Sequence, residues 1–139
     1  MGEAFIQRLG FERGMLMKIL VVDDLHAMRR VICHILRSLG YREITQAEDG
    51  ASAIDKLNRQ QFDFVITDWN MPGTCGLELL KYIRANRRFA KLPVLMITAE
   101  GSRDKVLVAA NAGVSSYITK PFSAAILSRK INKLFPQAV

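Results

Sequence analysis

A chain of 139 residues is sized for one domain and is long enough to bury a core without disulfide or metal staples. Half of the residues are apolar and mean hydropathy is +0.10, which excludes a disordered chain. No apolar run approaches the roughly 18 residues of a spanning helix. The net charge of +7, from 20 Lys and Arg against 13 Asp and Glu, bears on solubility and partners rather than on fold.

Residues 1–16 read as an N-terminal extension, with weak helical periodicity at Phe5, Ile6 and Leu9 or with no order at all. They lack the apolar stretch of a secretory signal, so a cytoplasmic protein is expected. Met-Gly at the start does not make a myristoylation site, because Ile6 stands where Ser or Thr is required. From residue 17 to 139 apolar strands alternate with amphipathic segments. KILVV leads into a helix over 26–39, with Met28, Val31, Ile32, Ile35, Leu36 and Leu39 apolar and Gly40 as its stop. EITQA precedes a helix over 51–60 with Ala53, Ile54 and Leu57 inward. FDFVIT is followed by a turn and the helix GLELLKYIRAN. PVLMIT is followed by a helix over 103–111 carrying Val106, Leu107 and Ala110. SSYIT leads to a last helix with Leu127, Ile131 and Leu134 at i, i+4 and i+7.

Five βα units with near-continuous Val/Ile/Leu strands predict a buried parallel sheet covered on both faces. The expected fold is α/β, a flavodoxin-like (βα)5 doubly wound sheet of order 2-1-3-4-5 in a single domain. In that order the carboxyl ends of the first, third, fourth and fifth strands meet at the switch point. They bring together Asp23 and Asp24 after KILVV, Asp68 after FDFVIT, Thr98 at the end of PVLMIT and Lys120 after SSYIT. Three carboxylates at close range repel one another unless a hard divalent cation joins them, and Mg2+ takes carboxylate and phosphate oxygens. Lys120 supplies a positive charge for a phosphoryl oxygen, and the Lys120–Pro121 bond is a candidate cis peptide. A carboxylate can also attack phosphorus, and Asp68 suits that role because the adjacent Asp23 and Asp24 suit metal holding. No Ser–His or Cys–His hydrolase pair is present, since His26 and His34 belong to the first helix.

Of the two cysteines, Cys33 falls in the apolar pattern of the first helix and reads as core filling. Cys75, in the turn MPGTCG, has no resolving partner in sequence that would make it a redox centre. Acid is absent from 79–99 and 106–139. These stretches read either as a solvated surface or as a basic face for an acidic partner.

The segments VVDD, FVITDWNMPGTCGLELLKYIR, PVLMITAE and AGVSSYITKPF resemble the receiver domains of two-component response regulators, most nearly those that act as single domains in bacterial chemotaxis. The resemblance runs from residue 17 to the end. It implies that Asp68 accepts a phosphoryl group from the phosphohistidine of a histidine kinase (CheA-like). It implies Mg2+, with Mn2+ or Ca2+ as substitutes, held directly by Asp24, Asp68 and the backbone carbonyl of Asn70 and through water by Asp23. Thr98 and Lys120 are then phosphoryl contacts, Thr98 and Tyr117 the switch pair, and Asn70 and Glu100 the residues that tune dephosphorylation. The implied output is a changed surface on the fourth helix, fifth strand and fifth helix. That surface would be read by a flagellar motor switch protein (FliM-like) or another acidic-peptide partner, with a phosphatase as a further partner. No nucleic acid, no membrane and a monomer are expected.

Such a protein is a signalling phosphoacceptor, catalysing only its own phosphorylation and dephosphorylation. Three departures from the family pattern stand out, one of them the strongly basic net charge, which leaves the identity of the partner open. Cys75 replaces the usual Asp before Gly76, which weakens the expected cap of the third helix, and Leu25 and His26 replace the usual residues after the acidic pair. The alternative is a phosphorelay intermediate passing phosphate to a histidine phosphotransfer protein. A haloacid dehalogenase-type phosphatase is disfavoured because DDLHA lacks its DxD motif. A flavodoxin is disfavoured because DDLHAM is not a Ser/Thr/Gly phosphate loop.

Overall fold

Five-residue strands rich in Val, Ile and Leu form the centre of the fold, and in the computed structural model, which describes residues 16–99 and 102–136, they are joined by helical crossovers. The strands are β1 (Lys18–Val22), β2 (Glu43–Ala47), β3 (Phe64–Asp68), β4 (Val94–Thr98) and the four-residue β5 (Ser116–Thr119). The helices are α1 (His26–Ser38), α2 (Gly50–Arg59), α3 (Gly76–Ala85), α4 (Arg103–Asn111) and α5 (Ala124–Leu134). All pairings are parallel and the strand order is β2-β1-β3-β4-β5, as the strand count and hydropathy predict. Element bounds fall within a residue or two of the expected ones. The expected extension over 1–16 lies, Leu16 aside, outside the described residues.

Alternation along the strands sends side chains to two cores. Leu20, Val22, Val65, Val94 and Met96 pack with Ala53 and Leu57 of α2, Leu79, Leu80 and Ile83 of α3, and Ala109 of α4. Ile19, Val21, Ile66, Leu95, Ile97 and Ile118 pack on the opposite face with Ile32, Cys33 and Leu36 of α1 and Leu127 and Ile131 of α5. Each fully buried Leu or Ile contributes on the order of 1.5–3 kcal/mol. Cys33 is core filling, as expected.

The helix ends follow local chemistry. Asp49, Ser102 and Ser123 cap α2, α4 and α5, their side-chain oxygens accepting from the backbone N–H groups of Ser52, Lys105 and Ile126. Gly40 stops α1 at a φ of 99°. Cys75, at the N-cap of α3, makes no side-chain cap bond; its Sγ instead lies 3.5 Å from Glu78 Oε1. The weakened cap expected from the Asp-to-Cys departure is therefore seen.

One helix packs differently from its pattern. In α4 only Ala109 is buried, while Val106, Leu107 and Val108 are 38, 55 and 43% exposed and Ala110 is also exposed. The phase between the Ser102 cap and the Gly113 stop presents a small residue to the sheet. The larger apolar side chains are left on the surface.

Arg84 of α3 is a fastener that hydropathy does not reveal. Its guanidinium donates to the carbonyls of Ala90, Leu92 and Gly113 and to Ser115 Oγ, tying the loop before β4 to the turn before β5. Its burial pushes its pKa below the ordinary arginine value.

Candidate functional site

The carboxyl ends of β1, β3, β4 and β5 converge as the parallel topology requires. Asp23, immediately after β1, is 1% exposed; Asp68, the last residue of β3, is 5% exposed; Thr98, the last of β4, is fully buried. Asp24 is exposed beside them. Carboxylate oxygens of Asp23, Asp24 and Asp68 lie within 4.8 Å of one another. Lys120 reaches in from the residue after β5, its Nζ 3.4 Å from Asp68 Oδ1 and 3.7 Å from Asp23 Oδ2. The Lys120–Pro121 peptide is cis, and the Lys120 N–H donates to the Thr98 carbonyl.

Each side chain is held from below by backbone. The Asp23 N–H bonds to the Ala47 carbonyl, and the Trp69 N–H to that of Ile97. Asp23 Oδ1 accepts from the Leu25 N–H at 2.9 Å, an Asx turn that closes the β1–α1 loop. Arg29 holds the same loop from α1, donating to the Asp23 carbonyl at 2.7 Å and to Gln46 Oε1 at 3.1 Å. Arg29 was not among the site residues expected from sequence; its only signal was its place one turn into α1. Behind Asp68, Gly76 is required by space. A Cβ there would lie 2.2 Å from the Asp68 carbonyl oxygen and 2.9 Å from Met96 Sδ.

The electrostatics follow from burial. Desolvation pushes the Asp68 carboxyl above the ordinary value, against the pull of Lys120 and of the Asn70 N–H bonded to it. Desolvation also raises Asp23, against the Leu25 N–H, and neighbouring Asp68 raises it further. Asp23 Oδ2 and Asp68 Oδ1 are buried and receive no hydrogen bond; at 3.4 Å or more, Lys120 is an ionic neighbour to them rather than a well-formed donor. Buried carboxylate oxygens without donors, two of them beside a third, solvent-facing carboxylate, form a donor set that fits a hard divalent cation.

The remaining expected residues sit around this centre. Asn70 is exposed at the rim, and Tyr117 on β5 is half-buried against the core that contains Met96 and Ala109. Glu100 lies outside the described residues. Trp69, next to Asp68, is 8% exposed and carries the Lys105 ammonium over its ring at 5.3 Å from the centroid. Lys105 was not among the site residues expected from sequence.

Parallel order 2-1-3-4-5 with an acidic cleft, a buried hydroxyl and an inward lysine at the strand ends defines a phosphoacceptor-type receiver architecture. The response regulator receiver domain profile matches residues 19–132, and the chain belongs to that family. It is 51% identical over 119 residues to the chemotaxis protein CheY of Pseudomonas aeruginosa, covering 86% of this chain and 96% of that one. It is 53% identical over 119 residues to CheY-3 of Vibrio cholerae, covering 86% and 92%. Among solved structures it matches the chemotaxis protein CheY4 of Vibrio cholerae with a TM-score of 0.80 at 33% identity, over 86% of this chain and 98% of that one. It also matches the receiver domain of the sensor histidine kinase PA1611 of Pseudomonas aeruginosa PAO1, whose structure has a magnesium ion in its active-site cleft. That match has a TM-score of 0.76 at 32% identity, over 84% and 95% of the two chains. No described helix is long and apolar enough to cross a membrane.

Proposed function

We propose that this protein is a single-domain chemotaxis response regulator of the cytoplasm, whose Asp68 accepts a phosphoryl group from the phosphohistidine of a CheA-like kinase. The observation that carries the reading is the buried, donor-poor Asp68 Oδ1, set 3.4 Å from the Lys120 ammonium and beside two further carboxylates. The relatives named for chemotaxis support the output, and they lend nothing to the relay alternative.

In the proposed transfer an Asp68 carboxylate oxygen attacks phosphorus, the P–N bond breaks, and its electron pair stays on the departing imidazole. Asp24, Asp68 and the Asn70 carbonyl would hold Mg2+ directly, with Asp23 acting through water. Bound there, Mg2+ would supply positive charge that offsets the three carboxylates and the phosphoryl oxygens. Lys120 opposes the charge on the transferring group, and the Thr98 hydroxyl donates to it once transferred. Water later cleaves the acyl phosphate at a rate tuned by Asn70 and Glu100.

Movement of Thr98 toward the phosphoryl group opens space that favours an inward Tyr117, which shifts the population of the α4–β5–α5 surface. That surface offers exposed Leu107 and Ile126 with Arg129 and Lys133, a combination suited to an acidic, amphipathic segment of a FliM-like switch protein. Residues 17–139 form the receiver in this reading, with 1–16 an extension to it.

The test is phosphotransfer from a radiolabelled histidine kinase in Mg2+. Wild type takes the label within seconds and Asp68→Asn takes none; equal labelling of both would end the assignment. Beryllofluoride with Mg2+ should tighten binding of a motor-switch peptide. Stoichiometric passage of phosphate to a histidine protein, with no peptide affinity, would end the chemotaxis reading.

A further inference from the structure

The amino-terminal edge of the sheet, opposite the acidic cleft, carries a second feature. The chain leaving α3 runs as Asn86-Arg87-Arg88-Phe89-Ala90-Lys91 before β4, and its cationic side chains are exposed. Among the described residues none of Arg87, Arg88 and Lys91 is ion-paired, whereas Arg84 of the same acid-free stretch is consumed inside the fold. Beside them, two contiguous clefts of about 340 and 480 Å³ share Phe62, Asp63, Arg88, Phe89 and Leu92. Leu57, from the end of α2, closes the smaller one.

We propose that this cleft is a second docking site, for an acidic peptide segment of a partner protein that inserts an aromatic or aliphatic side chain between Phe62 and Phe89. The three cations set the charge of the occupant, and the half-buried rings set its anchor. Asp63 also lines both clefts, its carboxylate fixed by the Lys18 N–H at 2.8 Å, so the occupant's acidic residues are met by the loop cations and only its apolar side chain enters between the rings. Arg88 is held toward α2 by its contact with the Asn58 carbonyl at 3.4 Å and by the Asn86 side chain on its N–H, so the loop presents a formed surface.

Position gives the site its role. Asp63 and Pro93 lie just before β3 and β4, whereas Asp68 ends β3, so the length of a strand, about 15 Å, separates cleft and acceptor. Docking at this edge is therefore independent of the phosphoryl state. It holds the protein near a partner while the α4–β5–α5 surface is left to switch.

The test is a titration of the 15N-labelled full chain with the peptide acetyl-Glu-Asp-Phe-Glu-Asp-amide at low salt. Amide shifts should centre on 57–63 and 86–93. Arg87→Glu/Arg88→Glu/Lys91→Glu should weaken binding at least tenfold and Lys91→Glu alone about threefold. Arg30→Glu/Arg37→Glu/Arg42→Glu, an equal change of net charge on and just after α1, should weaken it less than twofold. Replacing the peptide's Phe by Ala should weaken binding several-fold, and Mg2+ with beryllofluoride should change it less than twofold. The Trp69 response to Mg2+ verifies that each variant is folded. Shifts centred on α4 and β5, equal losses in both triple variants, no binding at millimolar peptide, or tighter binding of a charge-matched oligothymidylate at these residues would each overturn the proposal.

Discussion

Lys120 Nζ and Asp68 Oδ1 stand 3.4 Å apart at the sheet edge, close enough to attract and too far for a strong hydrogen bond. One ammonium, 18% exposed, therefore faces Asp68 and the equally buried Asp23, with Asp24 alongside. The cation-free site is electrostatically frustrated, and its carboxylates cost stability that a ligand recovers.

Asp68→Asn should make the cation-free protein more stable at pH 7, by on the order of 1–3 kcal/mol, the usual cost of a buried polar group left without its full set of partners. The folded-state pKa of Asp68 lies above its unfolded value because burial penalises the charge. Between those values the folded state binds more protons, so the stability tied to Asp68 is present at low pH and lost as pH rises through the folded pKa. The amide does not titrate. Its advantage should thus be largest at neutral pH and shrink as pH falls through the raised value. Urea denaturation of both proteins at several pH values checks this, and an advantage that grows with acid would refute it.

Magnesium should offset the same penalty. At a concentration 100 times its dissociation constant a cation bound only by the folded state adds about 2.7 kcal/mol. The gain should fall sharply in Asp24→Asn and Asp23→Asn. Trp69 reports the event directly because it follows Asp68 in the chain and packs under Lys105. Lys105→Met should shift the starting emission and cost about 0.5–1 kcal/mol for the cation–ring contact, yet leave the Mg2+-dependent change in place. Loss of that change in Lys105→Met would mean that Lys105, not the acidic cleft, is what the fluorescence senses.

Gly76→Ala should be damaging out of proportion to its size. The added carbon would meet the Asp68 carbonyl oxygen at 2.2 Å, and that oxygen belongs to the strand end that aims the acceptor. A backbone atom cannot swing away as a side chain can, so the cost should be about 3 kcal/mol. Phosphotransfer should fall with it even where the fold survives. Gly73 offers the contrast, since nothing lies within 4 Å of a Cβ there; its left-handed φ of 76° is its sole constraint. Gly73→Asn, which tolerates that φ, should be nearly silent in both thermal denaturation and phosphotransfer.

Strand placement was legible because buried parallel strands leave long apolar runs, and fixed order then forces Asp23, Asp68, Thr98 and Lys120 to one edge. What hydropathy missed was direction. Arg84 and Arg29 look like surface cations, yet Arg84 spends its guanidinium donors on three loop carbonyls and Ser115 Oγ, and Arg29 donates to the Asp23 carbonyl and Gln46 Oε1. The apolar residues of α4 look like core, yet only Ala109 meets the sheet. In each case the outcome depends on where neighbouring loops place their carbonyls and caps, which is information held by tertiary contacts and not by a residue's own polarity.

The cap of α3 gives the last prediction. Cys75 occupies the N-cap with an extended backbone, and its thiol points at Glu78 without satisfying an N–H group of the first turn. A serine hydroxyl in place of that thiol would complete a capping box with Glu78, accepting from the Glu78 N–H while the Glu78 carboxylate reaches back to the N-cap N–H. Cys75→Ser should therefore stabilise the protein by about 1 kcal/mol, and Cys75→Ala should give no such gain. Because α3 begins directly behind the Asp68 carbonyl, the firmer first turn should also slow local opening there. Hydrogen exchange of the Gly76 N–H, which bonds to the Trp69 carbonyl at 2.8 Å, measures that opening. Equal exchange in the serine and alanine variants would show that the cap does not govern the ground beneath the acceptor.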